Sequence, residues 1–212
     1  MMYGFFDESG VHATKGDRLL KLSVGGCLAP DNKWAALSTD WSIALQQMDI
    51  LVFHMAAFES RRRPFHLWDS DQRKSHLNRF LDLIGECKPY CFGFTNEIRQ
   101  GEQFEAIYER CASDVMTFLC NANVEDDIAL TFAHHPEYGR HSPLYELINS
   151  YASGSRVKSV DVARPIDTCP LQVADIVAYE VSRMQRDQLR PERYPLKRLC
   201  SLGCLFRFSA EA

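Results

Sequence analysis

The sequence predicts an α/β fold in which a mixed sheet of about five strands is flanked by helices. Short apolar runs alternate along the chain with segments whose apolar residues recur at helical spacing. Only a short polar stretch separates the first two runs, which favours an antiparallel hairpin. Each later run follows a helical segment, which favours parallel strands. With 46% apolar and 25% charged residues, the composition is that of an ordinary globular domain.

The first half of the chain predicts two strands followed by two helices. The aromatic run at residues 1–6 is typical of a buried strand, and Ser9-Gly10 after it indicates a turn. In the second run, Gly25 and Gly26 indicate either a bulge or a close approach of another backbone. The predicted elements are strands at residues 2–8 and 19–29, and helices at residues 31–49 and 69–87.

The second half of the chain alternates strands with helices until the C-terminal tail, whose pattern is indistinct. The predicted elements are strands at residues 90–98, 127–132 and 157–162, and helices at residues 102–121, 143–152 and 170–184. We therefore divide the chain into an α/β domain at residues 1–185 and a basic extension at residues 186–212 that packs on the same domain.

The charge of the chain is unevenly distributed. A net charge of −4 argues against a protein that coats nucleic acid by charge alone. Residues 183–207, however, carry seven basic and two acidic residues, and Arg61, Arg62 and Arg63 form a second basic cluster. These charges are either solvated surface or local patches that grip phosphate groups.

Hydropathy and cysteine usage indicate the compartment. No apolar run reaches the roughly 18 residues of a membrane span, and no basic region precedes the apolar N-terminus as in a signal peptide. We therefore expect a cytoplasmic protein with no membrane partner and with reduced, buried cysteines. A structural zinc site built from Cys200, Cys204 and histidines is an alternative. The sequence leaves the oligomeric state open, a homodimer included.

Two adjacent carboxylates, Asp7 and Glu8, follow the first apolar run. Carboxylates that leave a buried strand are costly unless a divalent metal or a buried arginine compensates them. Because side chains alternate between the faces of a strand, only one of the two is expected to point into a site. We predict that Asp7 is the inward ligand, that Glu8 lies at the rim, and that Ser9 and Gly10 let substrate approach.

A third acid, Asp175, is the only charged residue among the predominantly apolar residues 170–179. A buried carboxylate in a helix needs a partner. That partner is either an arginine, such as Arg164 or Arg183, or a metal ion shared with Asp7. Carboxylate and water ligands suit Mg²⁺ or Mn²⁺.

Histidines and a glutamine are the remaining polar candidates. His134 and His135 follow a predicted strand and are metal ligands, a general base or surface residues. His54 stands between two apolar residues, which is more typical of a hydrogen-bonded structural histidine. Gln172 shares a helical stripe with Asp175 and either orients that acid or touches substrate. The sequence contains no phosphate loop, dinucleotide fingerprint or nucleophile elbow.

Four segments together resemble a bacterial and phage-associated family known as domain of unknown function 3800. They are YGFFDESG at residues 3–10, the glycine-bearing second strand, FHM at residues 53–55, and PLQVAD at residues 170–175 with IVAY after it. This family is similar to the ribonuclease H-like superfamily. The resemblance implies a mixed sheet whose acidic cluster binds divalent metal and hydrolyses phosphodiesters.

The resemblance also implies roles for single residues. Asp7 matches the acid of the first strand, and Asp175 matches the acid on the last helix. The chain departs from the pattern in its middle strand, after which no acid occurs before Glu137. Either a histidine, Glu8 or Glu137 takes that place, or the chain is catalytically weak.

We therefore predict a nuclease, a phosphodiesterase that acts on nucleic acid with one or two Mg²⁺ or Mn²⁺ ions. The basic tail or the Arg61–Arg63 cluster would grip the nucleic acid backbone. The alternative is an inactive or weakly active module of the same fold that binds nucleic acid or a protein partner. The predicted site residues are Asp7, Glu8, Asp175 and His134 for catalysis, Asp7 and Asp175 as metal ligands, and Ser9, His54, Gln172 and Arg183 for substrate binding.

Overall fold

The computed structural model describes residues 1–12, 19–99, 101–121, 125–133, 150, 156–186 and 193–210. Their strands form one six-stranded sheet with helices on both faces. The strands are β1 (Met2–His12), β2 (Leu19–Pro30), β3 (Tyr90–Glu97), β4 (Ile128–Ala133), β5 (Val157–Ala163) and β6 (Leu205–Ala210). The helices are α1 (Asp31–Gln47), α2 (Met55–Glu59), α3 (Ser70–Cys87), α4 (Phe104–Asn121), α5 (Cys169–Arg186) and α6 (Tyr194–Ser201), with a 3₁₀ helix at Phe65–Leu67. The predicted helix at residues 143–152 lies almost wholly outside the described residues.

The strands lie in the order β5-β4-β1-β2-β3-β6. Strands β1, β2 and β3 are antiparallel neighbours, whereas β4 runs parallel to β1, β5 parallel to β4, and β6 parallel to β3. This arrangement confirms the predicted fold class, a mixed sheet with an antiparallel start and parallel later strands. The additional edge strand β6 comes from the C-terminal tail, because pairing with the distant β3 makes a strand of a segment whose own pattern is indistinct.

Strand β1 extends further than its sequence pattern indicates. Ser9 and Gly10 continue the antiparallel ladder with β2, so the turn predicted there is wrong. The long β2 offers backbone partners past the acid pair, and satisfying those hydrogen bonds outweighs the turn preference of Ser-Gly. Pairing with β4, in contrast, ends at Phe6. Asp7 therefore begins the part of β1 that extends beyond its parallel neighbour.

Two apolar cores cover the faces of the sheet. Helices α1, α3 and α5 pack on one face, where the ring centroids of Trp41 and Phe80 lie 4.5 Å apart. Helix α4 packs on the other face around Phe92. Successive residues of β1 serve different cores, Phe5 the first and Phe6 the second, as the alternation of side chains along a strand requires.

Helix α5 approaches β2 very closely at Gly25. A Cβ atom at this position would stand 2.6 Å from the Cα of Ala178, so only glycine permits the contact. Of the two interpretations of this glycine, the close backbone approach is correct, since the β1–β2 register runs past Gly25 without a shift. Gly25 is also the register partner of Asp7. The contact therefore places α5 beside that acid.

Two arginines of the basic tail are held by acids of the domain. Arg193 pairs with Glu59 at 2.8 Å and with Glu180 at 3.0 Å. Arg198 pairs with Asp82 at 2.8 Å. These two side chains therefore contribute to attaching α6 to the rest of the fold. The Arg61–Arg63 cluster is exposed in the segment after α2.

The eight cysteines, all of which lie in the described ranges, form no disulfide bonds. Five of the eight are buried, and Cys27 and Cys91 face each other across β2 and β3 with their sulfur atoms 3.1 Å apart. Cys204, a candidate zinc ligand, is buried whereas Cys200 is exposed. Within the described ranges, no helix combines the length and the apolar character needed to cross a membrane.

Candidate active site

Asp7 and Glu8 lie on opposite faces of β1. Asp7 is on the face covered by α5 and lines a pocket together with Asp175. Glu8 is on the face covered by α4, where it accepts a hydrogen bond from the Tyr108 hydroxyl. The two neighbouring carboxyl groups nevertheless share a hydrogen bond, and Oδ1 of Asp7 accepts the Glu8 amide at 2.8 Å. The pair thus links the two faces of the sheet at this point of β1.

Asp175 is held by a histidine and a backbone amide. Its Oδ1 lies 3.0 Å from Nδ1 of His54, and its Oδ2 accepts the Met55 amide at 2.5 Å. Arg164, one of the arginines considered as its partner, donates instead to Asp167 at 2.7 Å. Asp175 therefore joins α5 to the start of α2, and its partner is not that arginine.

Gln172, one turn before Asp175, joins three parts of the fold. Its Oε1 accepts hydrogen bonds from the indole of Trp41 at 2.9 Å and from the Phe53 amide at 2.8 Å. Its Nε2 donates to the Pro165 carbonyl at 2.9 Å. The residue is only 1% exposed, so its side chain lies behind the pocket wall and holds two loops at a set distance.

An open pocket of about 240 Å³ lies in front of these residues. Its walls come from two loops, one before α2 and one before α5, and its acidic side comes from β1 and α5. Pockets that combine apolar walls with a few convergent polar groups are typical ligand sites. The lining residues are Asp7, Val52, Phe53, His54, Arg164, Pro165, Ile166 and Asp175.

Two of the acids, Asp7 and Glu8, have strongly perturbed pKa values. Burial raises the pKa of Asp7 well above its usual range, and the charges of Glu8 and Asp175 raise it further. Burial likewise raises the pKa of Glu8 to about 7, although hydrogen bonds with Asp7 and Tyr108 oppose the shift. Among the described residues, no lysine or arginine pairs with Asp7 or Glu8. The carboxylates therefore converge without a compensating cation from those side chains.

His54 stands at the N-cap of α2, where it connects Asp175 with the pocket. Its hydrogen bond with Asp175 raises its pKa, while burial acts in the opposite direction. Because Nδ1 faces Asp175 and the side chain is 57% exposed, Nε2 is the ring nitrogen available to a ligand.

The other predicted site residues do not join this group. Ser9 is half-buried on β1, two residues beyond Asp7. The guanidinium of Arg183 lies 5.9 Å from the ring centroid of Tyr179. His134 lies outside the described residues, as do the alternatives His135 and Glu137.

The oxygen atoms of the acids suit a divalent ion. Oε2 of Glu8 is buried and has no hydrogen-bond partner in the described part of the chain. Such oxygen donors fit Mg²⁺ or Mn²⁺. In the same ranges no three Asp, Glu, His or Cys side chains are grouped closely enough to hold an ion by themselves. Mg²⁺ commonly takes one or two carboxylates and completes its shell with water and substrate phosphate, so Asp7 and Asp175 are the residues of this pocket that could hold such an ion.

Sequence reasoning missed a second buried acid on α5. Glu180 is 3% exposed, and both of its oxygens lie within 3.1 Å of Nε of Arg193. Burial raises the pKa of Glu180 to about 7, and Arg193 opposes the shift. The signal in the sequence was a second charge within the apolar stripe of α5, five positions after Asp175.

Comparisons with known proteins yield structural similarities alone. No family model and no curated protein matches the chain, so membership of domain of unknown function 3800 stays a prediction. Ribonuclease H2 from Pyrococcus horikoshii OT3 is similar with a TM-score of 0.47 and 11% identity over 93% of this chain and 84% of the other. Bst-RNase HIII in complex with Mn²⁺ is similar with a TM-score of 0.44 and 12% identity, covering 88% of this chain and 54% of the other. These scores and identities are too low to bear on activity, which has to be argued from the side chains themselves.

Proposed function

We propose that this protein is a divalent-metal-dependent nuclease that hydrolyses phosphodiester bonds of nucleic acid. The observation that carries the proposal is the pair Asp7 and Asp175 on the lining of an open pocket, with Glu8 bonded to Asp7 from the other face of the sheet. An acid whose pKa is raised by burial and by neighbouring charges, as that of Asp7 is, destabilises a fold, and strongly perturbed groups in a cleft are typical of functional sites. The described lysines and arginines do not neutralise Asp7 or Glu8, which leaves that role to a bound cation.

Asp7 and Asp175 would hold the ion, and Glu8 would support Asp7 from the other face of the sheet. When bound, Mg²⁺ or Mn²⁺ supplies positive charge that stabilises the charge developing on the phosphate during hydrolysis. Hydrogen bonds from His54 and the Met55 amide orient the Asp175 carboxylate toward the pocket. His54 would donate from Nε2 to a substrate oxygen.

In this proposal, Gln172 acts from behind the pocket wall and not at its surface. Its buried amide cannot contact substrate, but it fixes the loop that carries His54. We therefore assign it to positioning. This role corresponds to the first of its two predicted roles, orientation of Asp175, exerted through the loop at Phe53.

A second candidate function is a binding module with the same acids but little catalysis. The observation that favours it is the lack, within the described residues, of a ready group of three metal-ligating side chains. Strand β4 also ends at Ala133 without an acid. Binding that does not depend on metal and weakens steeply with salt would support this alternative.

Calorimetric titration with Mn²⁺ tests the proposal directly. We expect the wild-type protein to bind Mn²⁺, and both Asp7→Asn and Asp175→Asn to lose binding while their far-ultraviolet circular dichroism stays unchanged. Glu180→Gln is the matched control, because it removes a buried acid from the same helix and should bind Mn²⁺ like wild type. If the wild type binds no Mn²⁺ even with nucleic acid present, or if Glu180→Gln also abolishes binding, the metal site is not where we place it.

A further inference from the structure

We propose that the pocket beside the acids receives a single unpaired nucleobase, so that the enzyme acts where a base is free of its partner strand. This inference rests on the proposed nuclease function and adds its substrate class. It follows from the chemistry of the pocket walls, from their rigidity and from the size of the space between them.

The walls of the pocket are apolar where they face away from the acids. Val52 comes from the loop before α2, and Pro165 and Ile166 come from the loop before α5. Ile166 is 54% exposed, so its side chain is accessible to a ligand in the pocket. A sugar–phosphate backbone would gain little from such walls, whereas the flat face of a base gains from contact with apolar side chains.

The spacing of the walls is set before any ligand arrives. The Gln172 amide bonds to the Phe53 amide of one loop and to the Pro165 carbonyl of the other. Because Gln172 is buried, water competes poorly for these hydrogen bonds. The two walls are thus held apart by one side chain and form a slot that does not need to close on its ligand.

The volume and position of the pocket select one base rather than a longer segment. At about 240 Å³ it is smaller than the roughly 300–1,000 Å³ typical of sites for drug-sized ligands. Asp7 and Asp175 line the same pocket as the apolar side chains, so a base seated against those side chains would hold its attached phosphate near the acids. Arg164, oriented by Asp167, stands at the exposed rim.

A base within a duplex cannot enter this slot, because its faces are stacked and its edge is paired. Extruding a base costs energy, and the cost is least where the base is already unpaired. A fully paired substrate would leave the slot empty. Single strands, overhangs and bulges therefore fit the site better than continuous duplex.

The test uses three labelled duplexes that differ at one nucleotide: a fully paired duplex, one with a single unpaired thymidine, and one with an abasic residue in place of that thymidine. Each is made as DNA and as RNA, with phosphorothioate linkages that resist cleavage, and its affinity is measured by fluorescence anisotropy with Mn²⁺. We expect the unpaired thymidine to improve affinity roughly tenfold over both other duplexes. Ile166→Ser should remove most of that gain and should cause no comparable loss on the abasic duplex. Ile43→Ser, which alters an exposed isoleucine on α1, is the matched control and should keep the full preference.

The outcomes separate this inference from the proposed function. Equal affinity for all three duplexes, or an equal loss on all of them in Ile166→Ser, would overturn the base slot. Cleavage of unmodified oligonucleotides together with either of these results would leave the nuclease proposal standing and would exclude the base slot. If the thymidine preference and its loss in Ile166→Ser are observed but no metal supports cleavage, the slot stands and the protein is a binding module.

Discussion

Helix α5 carries two buried acids that differ in what surrounds them. Glu180 has a dedicated partner, Arg193, which also reaches Glu59 and so closes the helix against α2 and α6. Within the described part of the chain, Asp175 is held by a half-exposed histidine and a backbone amide, and it faces a pocket that contains Asp7. Both acids are buried on the same helix, yet one lies in a satisfied ion pair and the other beside a further acid.

This difference suggests how to separate structural acids from functional ones. A buried carboxylate with an arginine close to both of its oxygens has a compensating positive charge, and removing either partner mainly affects folding. A carboxylate placed near other carboxylates raises the energy of the folded state, which is tolerated where a ligand completes the site. The following variants test this contrast, in order of decreasing expected effect.

Neutralising Asp175 should lower nuclease activity strongly, whereas neutralising Glu180 should not. We expect Asp175→Asn to lower metal-dependent nuclease kcat by about 10³-fold or more, because an electrostatic group at the reacting phosphate is lost. Glu180→Gln should keep kcat within a few-fold of wild type. Initial rates on a labelled single strand with saturating Mn²⁺ measure both variants. Comparable losses in the two variants would mean that the acids share one structural role.

Removing the arginine should affect stability rather than chemistry. Arg193→Met leaves Glu180 buried and unpaired, so we expect a loss of about 3 kcal/mol in the free energy of unfolding at about pH 8. Since the pKa of Glu180 lies at about 7, protonation should reduce the loss below about pH 6. The control is Arg198→Met, whose partner Asp82 is largely solvated, and it should cost less than about 1 kcal/mol. Urea denaturation at the two pH values measures both losses. Equal losses of unfolding free energy in Arg193→Met and Arg198→Met would contradict this prediction.

Displacing the helix should affect both of its acids at once. Gly25→Ala places a Cβ 2.6 Å from the Ala178 Cα, and backbone cannot yield as a side chain can. We expect a cost of about 2 kcal/mol and a further fall in kcat, because α5 must move away from Asp7. Gly4→Ala, whose new Cβ would meet the ends of the Leu130 and Phe6 side chains, is the milder comparison. Wild-type stability in Gly25→Ala would show that the close contact is dispensable.

The smallest effect expected is a gain in stability. The pKa of Asp7 and Glu8 is raised in the folded state, so the folded protein binds protons more tightly than the unfolded chain, and stability falls as pH rises from about 4 through about 7. Asp7→Asn should therefore raise the unfolding free energy by about 1 kcal/mol near pH 8, or roughly 2–4 °C in Tm, and by much less near pH 4. Differential scanning calorimetry without added metal measures this gain. A lower Tm at pH 8 would indicate that Asp7 has a structural role.

Local pattern was sufficient to predict most of the elements. Apolar residues at helical spacing gave α1, α3, α4 and α5 to within a few residues, although α5 is buried on nearly all sides rather than on one face. The edge strand β6 and the extension of β1 through Ser9 and Gly10 were not predictable in this way. Both depend on hydrogen bonds to a strand elsewhere in the sheet.

For the candidate site, the sequence alone determined which residues are anomalous. Asp7, Glu8 and Asp175 were identifiable because charge in an apolar stretch is costly wherever the chain folds. Only the tertiary structure decided the partners of Asp175, since His54 and the Met55 amide reach it across a long sequence separation. The tertiary structure also decided that Glu180 pairs with an arginine and that Asp175 faces a pocket. That distinction depends on distances of a few ångströms between separate elements, and no local pattern encodes such distances.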